Sequence, residues 1–246
     1  MRLKDAQKNW DLFGKIDPLG SILTVKGKKW EVDEFFQTGE KEISGLMKRL
    51  GSIGLTIGQK KALDFGCGIG RLTQALAPYF KEVRGVDIAP SMINLAQSHN
   101  KHGNRCQYYV NRGDDLRIFP DKSFDLILSK ITLQHIEPVY GKNYIKEFVR
   151  VAKPGGIIVF QMPSTPVLQE TKSIGIKDRV RSLMPESWLN IYRKIKLRRK
   201  PVTEMYGMSR KEIEDLLEKC GAKLIDVRQD QSAGEKWISW QYCAVV

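Results

Sequence analysis

The chain has 246 residues and a mass of 28.1 kDa, with 41% hydrophobic and 28% charged side chains. That composition can bury a sizeable core and excludes a wholly disordered tail, a collagen-like repeat and a disulfide-stapled miniprotein. Net charge is +13, and nine Lys/Arg against two acids between Lys177 and Lys200 concentrate it in one segment. This raises nucleic acid, an acidic membrane or an anionic small molecule as partners.

In chain order, residues 1–60 mix Trp10, Trp30, Phe35 and Phe36 with charges, then suggest an amphipathic helix from Lys41 to Leu50 that Gly51 and Gly54 would end. Met1-Arg2-Leu3-Lys4-Asp5 leads into no apolar stretch, and no run approaches the roughly 18 residues of a membrane span. The four cysteines (Cys67, Cys106, Cys220, Cys243) show neither close pairing nor metal-ligand spacing. A reducing cytoplasm and no metal are therefore expected. From Lys61 onward, short apolar strands alternate with helices, which argues for a doubly wound, mostly parallel sheet. Strands are expected at 62–65, 82–86, 107–110, 124–128 and 156–161, with helices at 71–79, 90–100 and 143–152. Four prolines (Pro163, Pro166, Pro185, Pro201) break the rhythm over 163–208. Ser209-Arg-Lys-Glu212 then reads as a capping box opening a helix that Gly221 closes. Strands at 223–228 and 237–244 would form an antiparallel pair. The expected organisation is an N-terminal cap (1–50) and one α/β domain (51–246) carrying a basic, lid-like insertion (163–208).

The strongest chemical signal is Leu63-Asp64-Phe65-Gly66-Cys67-Gly68-Ile69-Gly70-Arg71, a strand ending in a glycine turn that opens a helix. Glycines let backbone approach a ligand closely, and the helix start offers free N–H groups. Asp87 follows Gly70 by 17 residues at the end of the next strand, where a carboxylate can accept from both hydroxyls of a ribose. A nucleoside-containing cofactor fits. The G-x-G-x-G spacing departs from the dinucleotide G-x-G-x-x-G, and Asp64 beside the turn would repel a pyrophosphate but suit a cationic or zwitterionic ligand.

With Asp115-Leu116, Phe124-Asp125-Leu126, Leu133-Gln134-His135 and Arg150-Val-Ala-Lys153-Pro154-Gly155-Gly156 following in order, the stretch from about Lys61 to Gln161 resembles the class I S-adenosylmethionine-dependent methyltransferases. That resemblance implies a Rossmann-like fold of seven strands with an antiparallel C-terminal strand, and S-adenosyl-L-methionine as cofactor. It implies that Gly66, Cys67, Gly68 and Gly70 underlie the methionine and ribose portions, with Asp64 near the amino group. Asp87 would hold the ribose, Ile88 and Met92 would pack on the adenine, and Asp115 (or Asp114) with Leu116 would read its edge. Ser129 would lie beside the methionyl part, and Arg71 would pair with the cofactor carboxylate.

Several residues carry a bland reading beside a sharp one. Cys67 is either a small residue filling the turn or a nucleophile. His99 and His102 suit the end of a helix, where positive charge is favoured. His135 is either a packed histidine or a general base that takes a proton from an acceptor hydroxyl. Tyr206, between Met205 and Met208, is either core or lines the acceptor pocket, as do Trp30, Phe35 and Phe36. The expected activity is methyl transfer to a small molecule or glycan, at oxygen. The alternatives are an RNA methyltransferase docking through the basic segment, and a non-catalytic cofactor-binding partner subunit.

Overall fold

The computed structural model describes residues 3–25, 27–166, 201 and 203–246. The basic stretch 177–200, with Trp188, Leu189, Ile191 and Tyr192, lies outside them. Two helices, α1 (Leu3–Ile16) and α2 (Pro18–Ile22), precede a long α3 (Val32–Ser52). The sheet then begins. In chain order come β1 (Lys61–Phe65), α4 (Arg71–Leu76), β2 (Glu82–Asp87), α5 (Pro90–Ser98) and β3 (Cys106–Val110). These are followed by β4 (Phe124–Ser129), α6 (Pro138–Val151), β5 (Ala152–Pro166), α7 (Arg210–Lys219), β6 (Lys223–Asp230) and β7 (Trp237–Val245).

The seven strands lie in the order β3-β2-β1-β4-β5-β7-β6. β1 to β5 pair in parallel, whereas β7 runs antiparallel to both β5 and β6. The doubly wound sheet and its reversed C-terminal strand are as the sequence predicts. Chain order reverses at β1, between β2 and β4, and in open parallel sheets ligands settle beyond the strand ends at such a point. β1 and β4 are buried on both faces, which calls for apolar residues on both sides of each strand, here Ala62, Leu63 and Phe65 in β1 and Leu126, Ile127 and Leu128 in β4. Successive side chains alternate between faces. Leu63, Phe65 and Ile127 join α6 and α7 in one core, while Ala62, Leu126 and Leu128 join α3 and α4 in another.

Helix α3 is twice the expected length. Its start at Val32 follows Glu31, which makes no side-chain cap bond, so the usual N-terminal signature is missing. Gly39 within it is required by packing: a Cβ there would sit 2.5 Å from the Arg71 carbonyl oxygen. The expected boundary at residue 50 falls inside this helix, whose Ile43, Leu46 and Leu50 belong to the sheet core. The capping box before α7 forms, with Ser209 Oγ accepting from Glu212 N at 3.2 Å and Glu212 Oε2 accepting from Ser209 N at 2.9 Å.

Helix α1 docks on the start of α5. Ser91 N donates to Asp11 Oδ1 and Ser91 Oγ to the Asp11 carbonyl, each at 2.8 Å. Trp10, Phe13, Leu19 and Ile22 cover a small core of Phe35, Ile69, Ala89 and Met92. That core adjoins the turn after β1.

Candidate active site

The turn between β1 and α4 is built by three glycines with positive φ: Gly66 at 77°, Gly68 at 53° and Gly70 at 87°. A side chain at any of them would be strained there. It would also collide, at Gly66 with Thr132 and at Gly70 with the Tyr108 hydroxyl 2.6 Å away. The Val86 carbonyl fastens the turn by accepting from Gly66 N at 2.7 Å and Cys67 N at 3.0 Å. Asp87, at the tip of β2, accepts from Gly68 N on one carboxylate oxygen and from Ala89 N on the other, both at 2.9 Å. Burial raises its pKa, against the pull of these N–H groups. Each oxygen keeps a further lone pair, so the carboxylate is held yet still able to accept two hydroxyls.

Asp64 is almost wholly buried. Burial pushes its carboxyl up to about 6, although Thr73 Oγ1 donates to it at 2.6 Å and Arg71 opposes the shift. An ammonium or sulfonium placed near it would favour the ionised form.

One cavity opens onto this turn. Asp64, Gly66, Cys67, Gly68, Arg71, Asp87, Ile88, Met92 and His135 line it together. Gly70, Asp115, Leu116, Ser129 and Tyr206 are outside its lining. Gly70 instead caps α4 over Tyr108. Leu116 turns fully into the core beside Phe119 and donates its N–H to Glu147. Asp115 pairs with Arg117 at 3.1 Å. The residue that reaches the cavity from the end of β3 is Asn111, whose Nδ2 donates to the Asp115 carbonyl at 2.7 Å. Ser129 is fully buried with its Oγ unpartnered. Tyr206 donates its N–H to the Gln134 carbonyl at 2.8 Å and its hydroxyl to Glu204.

The surroundings of Arg71 and Cys67 are fixed as well. The Arg71 guanidinium is engaged by Glu42 at 2.8 Å and Thr38 at 3.2 Å, so α3 holds it. Cys67 donates to the Gly68 carbonyl, and burial raises its thiol pKa well above the ordinary range. A thiol so held stays protonated and fills space rather than attacking.

Residues that the sequence did not single out complete the lining. Leu3, Ala6, Trp10, Ser21 and Ile22 come from α1 and α2, and Lys130, Ile131 and Thr132 from the turn after β4. Ile131 has φ at +56°, unusual for a β-branched residue and a sign of a conformation imposed by its surroundings. Lys130 lies between Glu42 at 3.3 Å and Asp230 at 2.7 Å. Burial would raise the Asp230 carboxyl, but Lys130 outweighs it and holds the pKa low. Glu42 thus binds both cations that line the cavity. His135 lies 5.2 Å from the Trp10 ring, centroid to centroid, and burial lowers its pKa. Among the described residues there is no group of three or more potential metal ligands, and no helix long and apolar enough to cross a membrane.

Comparison with known proteins points the same way. Residues 63–160 match the family described as "Methyltransferase domain". A demethylmenaquinone methyltransferase of Tropheryma whipplei is 36% identical over 107 residues, which are 44% of this chain and 43% of that protein. A ubiquinone biosynthesis O-methyltransferase of Coxiella burnetii is 28% identical over 155 residues, 63% of this chain and 56% of that one. The chain thus spans about half the length of the curated relatives it matches. Among solved structures, magnesium protoporphyrin IX methyltransferase from Synechocystis PCC 6803 superposes with a TM-score of 0.64 at 16% identity, covering 99% of this chain and 98% of that one. An S-adenosylmethionine-dependent methyltransferase of Leishmania major gives 0.65 at 14% identity, covering 99% and 82%. At such identities the likeness is one of fold.

Proposed function

We propose that the chain, whose residues 63–160 match the family described as "Methyltransferase domain", is a class I S-adenosylmethionine-dependent methyltransferase that methylates a small molecule at oxygen, with S-adenosyl-L-methionine held in the cavity beside the glycine turn. The observation that carries the reading is the Asp87 carboxylate, fixed by Gly68 N and Ala89 N at the rim of that turn. It is oriented before any ligand arrives, so ribose hydroxyls bind it without a further cost of ordering. The donor set fits the cofactor in its other parts. Met92 and Ile88 offer an apolar bed for the adenine, Asn111 offers an amide for its edge, and buried Asp64 offers a negative charge to the ammonium group.

When bound, S-adenosyl-L-methionine supplies a sulfonium-activated methyl group for in-line displacement. The protein's tasks are then alignment of the acceptor and exclusion of water. Trp10, Leu3, Ala6 and Ile22 of the N-terminal helices and Ile131 and Ile136 beyond β4 line the rest of the cavity. These apolar walls suit a small molecule with an apolar body better than a glycan. The names of the two curated relatives support a small-molecule acceptor, and the second names oxygen as the target.

The test is to incubate the protein with methyl-labelled S-adenosyl-L-methionine and a cell extract divided into organic-soluble, glycan, protein and RNA pools. Label in the organic-soluble pool is expected. Label in a nuclease-sensitive pool instead would replace this reading with an RNA methyltransferase docking through residues 177–200. Cofactor binding with no label in any pool would favour a partner subunit.

A further inference from the structure

Five groups, running from the cavity wall at Ile131 and His135 into the core behind it, form a hydrogen-bonded chain whose direction is fixed at both ends. At one end, the backbone N–H of Ile131 donates to Gln161 Oε1 at 3.2 Å. A backbone amide can only donate, so Gln161 must turn its oxygen toward it and its NH2 away. That NH2 donates to Gln134 Oε1 at 3.0 Å and to Ser239 Oγ at 2.6 Å. Gln134, its oxygen so used, presents its own Nε2 to His135 Nε2 at 3.1 Å. At the far end, His135 Nδ1 lies 2.7 Å from the Glu204 carbonyl oxygen, which can only accept. Both ends demand the same tautomer: a proton on Nδ1 and a lone pair on Nε2. Gln161 is fully buried, with every polar group engaged, and it does not line the cavity.

We propose that Gln161, acting through Gln134, is a positioning residue that holds His135 as the neutral Nδ1–H tautomer, leaving Nε2 as the ring nitrogen that accepts the acceptor's hydroxyl proton. This deepens the methyltransferase reading and rests on it. The acceptor hydroxyl takes the place of the Gln134 N–H at Nε2. Its proton passes to Nε2 while the oxygen's electron pair forms the bond to the transferred methyl carbon, and the broken C–S pair stays with sulfur. The imidazolium so formed keeps its Nδ1–H on Glu204. Strained Ile131 belongs to the same device, because its N–H orients the chain and its side chain lines the cavity.

Titratable groups on the neighbouring elements are Glu204 and Tyr206 on the segment leading to α7, Glu137 before α6, and Lys130, which is paired with Glu42 and Asp230. On α1, Asp11 is committed to Ser91 and Lys15. Burial, the main cause of the lowered pKa, keeps the free imidazole neutral at pH 7.

The experiment is a nitrogen–proton correlation spectrum of the histidine rings, recorded on the full chain without cofactor or acceptor. With only three histidines in the chain, His135→Gln assigns the signal. A protonated Nδ1 and bare Nε2 are expected, and a protonated Nε2 in the neutral ring would overturn the proposal. In Gln161→Glu, a carboxylate replaces the donating NH2, so Gln134 must rotate and offer its oxygen to Nε2. The His135 pKa should then rise by at least about one pH unit, a tenfold change in proton affinity. A folded Gln161→Glu that titrates within about 0.3 units of wild type would also overturn it. Should Gln161→Glu not fold, Gln134→Glu places the carboxylate directly against Nε2, with the same expected rise and the same disproof. Because no methyl transfer is measured, this result is independent of the label-transfer test. A correct tautomer with no transfer removes the function and leaves the tautomer lock, whereas transfer with the wrong tautomer removes the lock alone.

Discussion

The two sides of the cavity are built by different means. On the turn side, Asp64, the three glycines and Asp87 lie within 24 residues of chain, on adjacent strands whose register places Asp64 opposite Gly85. Backbone bonds and positive φ angles fix that geometry locally. On the covering side, Trp10 and Ile22 come from the N-terminal helices, Ile131 and His135 from beyond β4, and the Glu204 carbonyl from ahead of α7. These groups meet only through long-range packing. A site that must hold one invariant ligand is specified locally, and a site shaped to a particular acceptor is assembled from distant parts.

Substitutions can break or sharpen that contrast. The largest effect is expected at Asp87→Ala, which should weaken S-adenosyl-L-methionine binding at least ~100-fold, since two hydrogen bonds to a charged group at roughly 1.5–3 kcal/mol each are lost. Gly66→Ala comes next. It forces a Cβ into Thr132 at a φ of 77°, and thermal unfolding should show a loss of about 2 kcal/mol. Asp64 should then make the turn side pH-sensitive. Its folded pKa of about 6 exceeds the unfolded value, so between roughly pH 4 and 6 the folded state holds more protons. The stability of the ligand-free protein should fall as pH rises through that window. Affinity for the cationic cofactor should rise about tenfold from pH 5 to 7. The smallest effect belongs to the covering side: Trp10→Ala should raise the acceptor KM by about fivefold, roughly 1 kcal/mol of lost contact, with little change for the cofactor.

The same division explains what could be read in the sequence. The strand–turn–helix after Lys61 and the carboxylate at Asp87 were legible because short-range spacing carries them. The sheet's strands and its reversed C-terminal strand followed from alternating apolar runs. Asn111 reaches the cavity but was not singled out, because a lone Asn after β3 carries no sequence pattern, while Leu116 packs in the core and Asp115 pairs with Arg117. Lys130 and Ile131 carried no signal, since their role arises only where β4 lies beside β1 and β5. The first half of α3 was hidden by its uncapped start and by Gly39, which looks like a helix breaker until Arg71 is seen against it. Arg71 itself pointed toward a cofactor carboxylate, and only the partner helix reveals Glu42 as its ion pair.

The most direct test of this two-sided site is calorimetric titration of S-adenosylhomocysteine into wild type, Asp87→Ala and Trp10→Ala. The account predicts that Asp87→Ala loses at least ~100-fold in affinity while Trp10→Ala stays within about threefold of wild type. Equal losses in the two variants, or an Asp87→Ala protein that binds as tightly as wild type, would contradict it.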